Sequence, residues 1–103
     1  MPWTPADVAL AGNVWTLVAD YTATVDRPRG ADCINLTGSA NSAEFLVDPL
    51  HVEGTTPGGG TPGYPIAAGA AKAFGDVRSG GGAVNKVWAR SAGATVRVVV
   101  DIG

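Results

Sequence analysis

The closing stretch KVWARSAGATVRVVVDIG, Lys86 to Gly103, is the most regular in the chain, and its reading sets the fold class. Ala94, Val96, Val98, Val100 and Ile102 recur at every second position, with Thr95, Arg97 and Asp101 on the alternate face. A period of two marks a half-buried antiparallel strand, because successive side chains of a strand point to opposite faces. The preceding run, Val84 to Ser91, reads as its partner across a tight turn. A two-residue type I′ loop would hold Ala92 at positive φ, which costs an L-residue about 1–2 kcal/mol. A three-residue loop, Ser91-Ala92-Gly93, asks this of Gly93 alone and is the one expected. In that register Arg90 faces Ala94, Trp88 faces Val96 and Val84 faces Val100. Trp88 is then expected on the core face, with Lys86 opposite Val98 near a rim where its ammonium reaches water. The other register would set Trp88 against Arg97 on the solvent face.

Upstream, short apolar runs recur between Gly, Pro, Asn and Asp, and no segment has the length and 3.6-residue period of an amphipathic helix. NVWTLVADYTATV (Asn13 to Val25) alternates, with Trp15, Leu17 and Ala19 expected on one face and Val14, Thr16 and Val18 on the other. RPRGAD (Arg27 to Asp32) reads as a turn, CINLTG (Cys33 to Gly38) as a strand with Ile34 and Leu36 inward, and Ala43 to Val47 as another strand. EGTTPGGGTPGYP (Glu53 to Pro65) is read as a long loop. PIAAGAAKAFGDV (Pro65 to Val77) carries helix-like punctuation, but Gly69 interrupts it, so an extended segment ending in a strand at Lys72 to Phe74 is expected. The whole predicts one all-β domain over residues 1–103: a small antiparallel β-sandwich or jelly-roll-like barrel of six to eight short strands. An N-terminal arm (about 1–12) and the long Gly/Pro loop (about 53–65) would project from it.

Composition narrows the function classes. The chain has 103 residues, a single-domain length. Hydrophobic residues make up 46% and charged residues 16%, against about 25% charged in an average domain. That balance excludes intrinsic disorder and leaves a sparsely charged surface of the kind other subunits cover. Net charge is −2, and the seven cations, Arg27, Arg29, Lys72, Arg78, Lys86, Arg90 and Arg97, are scattered. Without a basic stripe, neither nucleic acid nor an anionic membrane surface is expected as a partner. The single Cys33 excludes an internal disulfide, which points to maturation in a reducing cytosol. MPWTPADVALAG lacks the basic and apolar regions of a signal peptide, and no apolar run approaches a membrane span.

No catalytic constellation emerges, and the chain is read as a non-enzyme with neither cofactor nor metal. The Gly-rich loop lacks the G-x-x-x-x-G-K-[ST] pattern that cradles phosphate. Asp48, His51 and Glu53 are near one another, but there is no second His and no Cys at ligand spacing. Ser39, Ser42, Ser79 and Ser91 sit in turns with no nucleophile elbow, and Cys33 reads as a core or edge thiol. The aromatic inventory is more informative. Trp15 and Trp88 are expected in the core. Trp3 and Tyr64 stand beside prolines in PWTP and TPGYP, stiff amphipathic segments suited to docking on another protein. Trp3, Pro5, Pro62 and Tyr64 are therefore the candidate partner-interface residues.

The order INLTGSANSAEFLVD, GTPGYPIAAGAAKAFGDV, VNKVWARSAGATVRVVV, spanning Ile34 to Val100, resembles small β-sandwich structural proteins of tailed bacteriophages and gene-transfer particles. The resemblance implies a non-enzymatic virion protein made in the host cytoplasm. It would be a capsid decoration or head/tail accessory protein that forms a homo-oligomer and binds a major capsid or tail protein. Capsid and tail locations stay open. The alternative from another class is a carbohydrate-binding or adhesin-like β-sandwich that stacks sugars on exposed aromatics.

Overall fold

The structure, a computed structural model, describes residues 2–3, 7–20, 30–47, 57–58, 60, 62–74 and 86–101. Among them run nine strands: β1 (Pro2–Trp3), β2 (Val8–Ala9), β3 (Thr16–Asp20), β4 (Ala31–Asn35), β5 (Ala43–Val47), β6 (Tyr64–Ile66), β7 (Ala71–Phe74), β8 (Lys86–Arg90) and β9 (Thr95–Asp101). Sheet I has the order β1–β9–β4–β7, with β2 also on β9, and sheet II the order β3–β8–β5–β6. The count exceeds six to eight because the N-terminal arm contributes two separate two-residue pieces, both antiparallel to β9.

Pairing follows a simple rule. Counted inward from the two ends, the arm pairs with β9, β3 with β8, β4 with β7, and β5 with β6. This folded ribbon is then rolled until β9 also meets β4 and β8 also meets β5. Two such sheets face to face make a jelly roll. The expected terminal hairpin does not form: β8 and β9 belong to different sheets, and Ser91 to Ala94 is a corner between them. Trp88 pairs with Leu17 and Leu46, not Val96, and Lys86 pairs with Asp20, not Val98. Gly93 does not adopt positive φ; the described glycines that do are Gly12 and Gly69. Its missing Cβ instead makes room for the Asn41 amide, whose nitrogen would stand 3.0 Å from it.

The core lies between the sheets. Ala31 and Cys33 of β4, Phe74 of β7, and Val96 and Val98 of β9 come from sheet I. Phe45, Val47, Val87, Ala89 and the other inward residues of sheet II oppose them. The alternation read in β9 holds through Ala94, Val96 and Val98, all buried. In β4 the phase is reversed from expectation: Ala31, Cys33 and Asn35 are buried, while Ile34 and Leu36 are half-buried. In β3 the register shifts between Leu17 and Ala19, a bulge that sends Val18 and Ala19 both into the core. Ala19 therefore leaves the face it was expected to share with Trp15 and Leu17. The long loop ends earlier than read, since Tyr64 and Pro65 belong to β6, an edge strand where proline is tolerated. The strand expected at Lys72 to Phe74 is present, extended by Ala71. The arm is not free over its described residues: it extends sheet I, and Leu10 is buried in the core. Asp7 and Arg97 clamp it with two hydrogen bonds, Nε to Oδ1 at 2.7 Å and Nη2 to Oδ2 at 3.2 Å.

Where strands leave one sheet for the other, backbone groups lose their ladder partners, and buried side chains replace them. Asn35 Nδ2 donates to the carbonyls of Asn41 (3.0 Å) and Ile66 (2.9 Å). Its own backbone takes Gly69 N–H and donates to Ala70. Ser91 Oγ donates to Ser42 O at 2.8 Å and accepts from the N–H of Gly93 and Ala94. Ser39 Oγ accepts from Thr95 N–H and donates to Thr95 O. Asn35 is fully buried, so Asn35→Ala leaves the carbonyl of Ile66 unpaired in the interior and that of Asn41 without its half-buried bond. With a cost of about 1–3 kcal/mol for each unsatisfied group, the variant is expected to lose about 2–4 kcal/mol. Urea unfolding checks this as a lowered midpoint at unchanged slope.

Candidate partner interface

The two halves of the expected interface do not meet. β1, with Trp3 opposite Val100, lies at one edge of sheet I, and β7 forms the other. Tyr64 is at the β7 side, because its ring stands edge-on to Phe74 at 5.6 Å and 82°. Pro5 lies outside the described residues. Pro62 is exposed, two residues before β6. Tyr64 is 43% exposed, yet it pairs with the inward-facing Phe45, so its ring points into the seam between β6 and β7. Lys72 Nζ lies 5.4 Å from the ring centroid, a cation over an aromatic face. Tyr64 thus seals the open side of the sandwich while leaving one margin wet.

β7 beside it is an exposed edge strand. Ala71, Lys72 and Ala73 are all exposed, and among the described residues β7 pairs only with β4. The direction of its backbone groups follows from the neighbouring bonds. Asn35 N–H is directed to Ala70 O and Leu36 N–H to Thr95 O, so odd residues of β4 address β7 and even residues address β9. The pairs Cys33–Lys72 and Ala31–Phe74 therefore use the N–H and C=O of Lys72 and Phe74. Those of Ala71 and Ala73 point off the edge, where only another strand or water satisfies them.

The tryptophans expected in the core are buried elsewhere. Trp88, Trp15 and Leu46 form a second cluster on the outward face of sheet II. Val87 and Ala89 take the inward positions of β8, which is what turns Trp88 out. Trp15 is the hub of this face. Its Nε1 donates to Gly58 O at 3.2 Å, and the Arg90 guanidinium stacks 4.5 Å from its ring. Glu44 grips Arg90 through Oε1 (3.1 Å) and Oε2 (3.3 Å), and Oε2 also accepts Gly63 N–H at 3.1 Å. Those bonds hold the Glu44 carboxyl below its ordinary value, the Arg90 hydrogen bond contributing most. Val14 and Leu17, 60% and 40% exposed, extend the apolar strip at the β3 margin. The described part of the Gly/Pro loop is therefore a strap over Trp15, with Pro57 buried. Sequence reading missed this site because alternation says nothing about a loop folding back over the outward face.

Asp48, His51 and Glu53 lie outside the described residues, and among the described residues no group of three or more His, Cys, Asp or Glu is placed to hold a metal. Cys33 is a core thiol whose pKa burial pushes up, with Asp32 adding to it, so it stays protonated and unreactive. Comparison with protein-family models, curated proteins and solved structures finds no match to this chain.

Two outcomes follow. A Cβ on Gly63 would lie 2.7 Å from Trp15 Cη2 and 3.2 Å from Phe45 O, so Gly63→Ala is expected to lose about 1–3 kcal/mol and to shift tryptophan emission. The pH effect has a definite sign. A depressed folded pKa stabilises above the unfolded value, about 4.3, and that contribution disappears as pH falls through the folded one. Thermal melts below pH about 4.3 should therefore fall less steeply in Glu44→Gln than in the wild type.

Proposed function

We propose that this chain is a non-enzymatic structural subunit of a virion, a capsid decoration or head/tail accessory protein that binds and stabilises the particle. The open β7 edge carries the reading: outward N–H and C=O groups of Ala71 and Ala73, beside the exposed margin of Tyr64, form a strip built for strand addition. The sequence resemblance supplies the kind of assembly. A sparsely charged, Gly-rich domain suits life among other subunits, and jelly rolls build viral capsid domains.

Jelly rolls also build lectin domains, so the fold by itself does not separate the carbohydrate-binding alternative. The aromatics bear against it. Trp15 and Trp88 are 9% and 6% exposed, which leaves Tyr64, at 43%, as the exposed ring among those whose burial is described. One ring turned into a seam makes a poor stacking platform.

Quantitative mass spectrometry of particles purified from cells carrying this gene tests the proposal. The expected result is a copy number matching a shell or a tail ring. Recovery in the lysate with none on particles, or selective retention on a glycan array by a monomer, overturns it.

A further inference from the structure

The sheet edges are protected unequally. β6 carries Pro65 within the strand, β3 is broken by its bulge, and β9 is covered by arm pieces of two residues each. Prolines, bulges and very short edge strands are devices that keep a sheet from pairing with a stranger. β7 uses none of them. Its register with β4 runs unbroken from Ala71 to Phe74, no Pro or Gly interrupts it, and its one charge is turned over the Tyr64 ring.

We propose that β7 pairs edge to edge with β7 of a second copy of this chain, antiparallel about a two-fold axis through Ala73. This inference rests on the assembly reading and names its first contact. The strand's own symmetry argues for a second copy. A two-fold axis perpendicular to the sheet keeps the inward faces of both copies on the same side, so paired residues must have the same parity. Centring on Lys72 would set like charges directly opposite, which is destabilising. Centring on Ala73 sets Lys72 against the partner's Phe74, so that no like charges stand opposite each other. Ala73 and the partner's Ala73 then exchange both hydrogen bonds, using the groups that point off the edge. Methyl groups at the axis keep close approach free of steric conflict. Sheet I becomes continuous across the two copies.

Sedimentation equilibrium of the full chain over a concentration series is expected to show twice the monomer mass. Ala73→Pro removes an N–H that points away from β4 and bonds no described residue, so it should give a monomer with unchanged circular dichroism. Ala73→Cys supplies a second readout. Cα atoms of a hydrogen-bonded pair stand about 5.5 Å apart, within the range a disulfide spans. Mild oxidation should link Ala73→Cys into a covalent dimer, with Cys33 buried out of reach. Ala71→Cys should stay unlinked, because its counterpart lies about 13 Å away, four residues along the strand. A wild type that stays monomeric, an Ala73→Pro that still dimerises, or an Ala71→Cys that links as readily as Ala73→Cys overturns the pairing. A monomer that nonetheless joins particles sinks this contact alone, whereas a dimer absent from particles sinks the assembly reading alone.

Discussion

Rolling a ribbon of strands into two sheets forces the chain to leave its ladder at every corner, and in this domain buried polar side chains make that departure affordable. Asn35 holds the carbonyls of Asn41 and Ile66, tying the exit of β4 to the approach to β5 and the end of β6. Ser91 does the same between β8 and β9, and Ser39 closes the start of β9. Leu10 and Asn13 bring the arm side in by donating to Ala94 and Ser91. Flipping the Asn35 amide would aim an acceptor at two carbonyls, so its orientation is fixed by its neighbours. Its Oδ1 has no partner among the described residues, which shows that the donors decide its place.

The two faces of sheet II divide the work. The inward face supplies half of the core with Val87, Ala89, Phe45 and Val47. The outward face is buried too, under Trp15, Trp88 and the strap that Glu44, Gly58 and Gly63 pin to it. This double burial is why Phe45, Leu46 and Val47 are all fully buried in one strand. Sheet I differs: on its outward face Asp32, Ala71 and Ala73 reach solvent, and among the described residues its edge strand β7 pairs only with β4. The outward face of sheet II is thus covered, whereas that of sheet I meets solvent at these positions.

Much of the fold was legible. β5 and the alternation of β9 were read with correct faces or bounds, because a period of two needs only local side-chain geometry. Tyr64 was singled out by its proline setting, but its inward lean onto Phe74 depends on β6 and β7 lying at adjacent edges. The phase of β4 was misread because Ile34 looks like the core residue. Asn35 takes the buried position instead, since a corner carbonyl is worse left unpaired than an isoleucine half-exposed. The bulge in β3 left no mark in the alternation that could be read beforehand.

The sequence by itself determined an all-β domain, the positions of most strands and which residues of β9 face inward. Those properties follow from periodicity and turn residues, which act over a few positions. Only the tertiary structure decided which strands are neighbours. A tight turn at Gly93 was the cheapest local solution for Lys86 to Gly103, and local cost did not prevail. Placing β8 between β3 and β5, and β9 between the arm and β4, gives each a ladder on both sides, which a terminal hairpin at the edge of one sheet would not. Trp88 is accordingly buried on the outward face of its sheet, a place that neither local register had offered it.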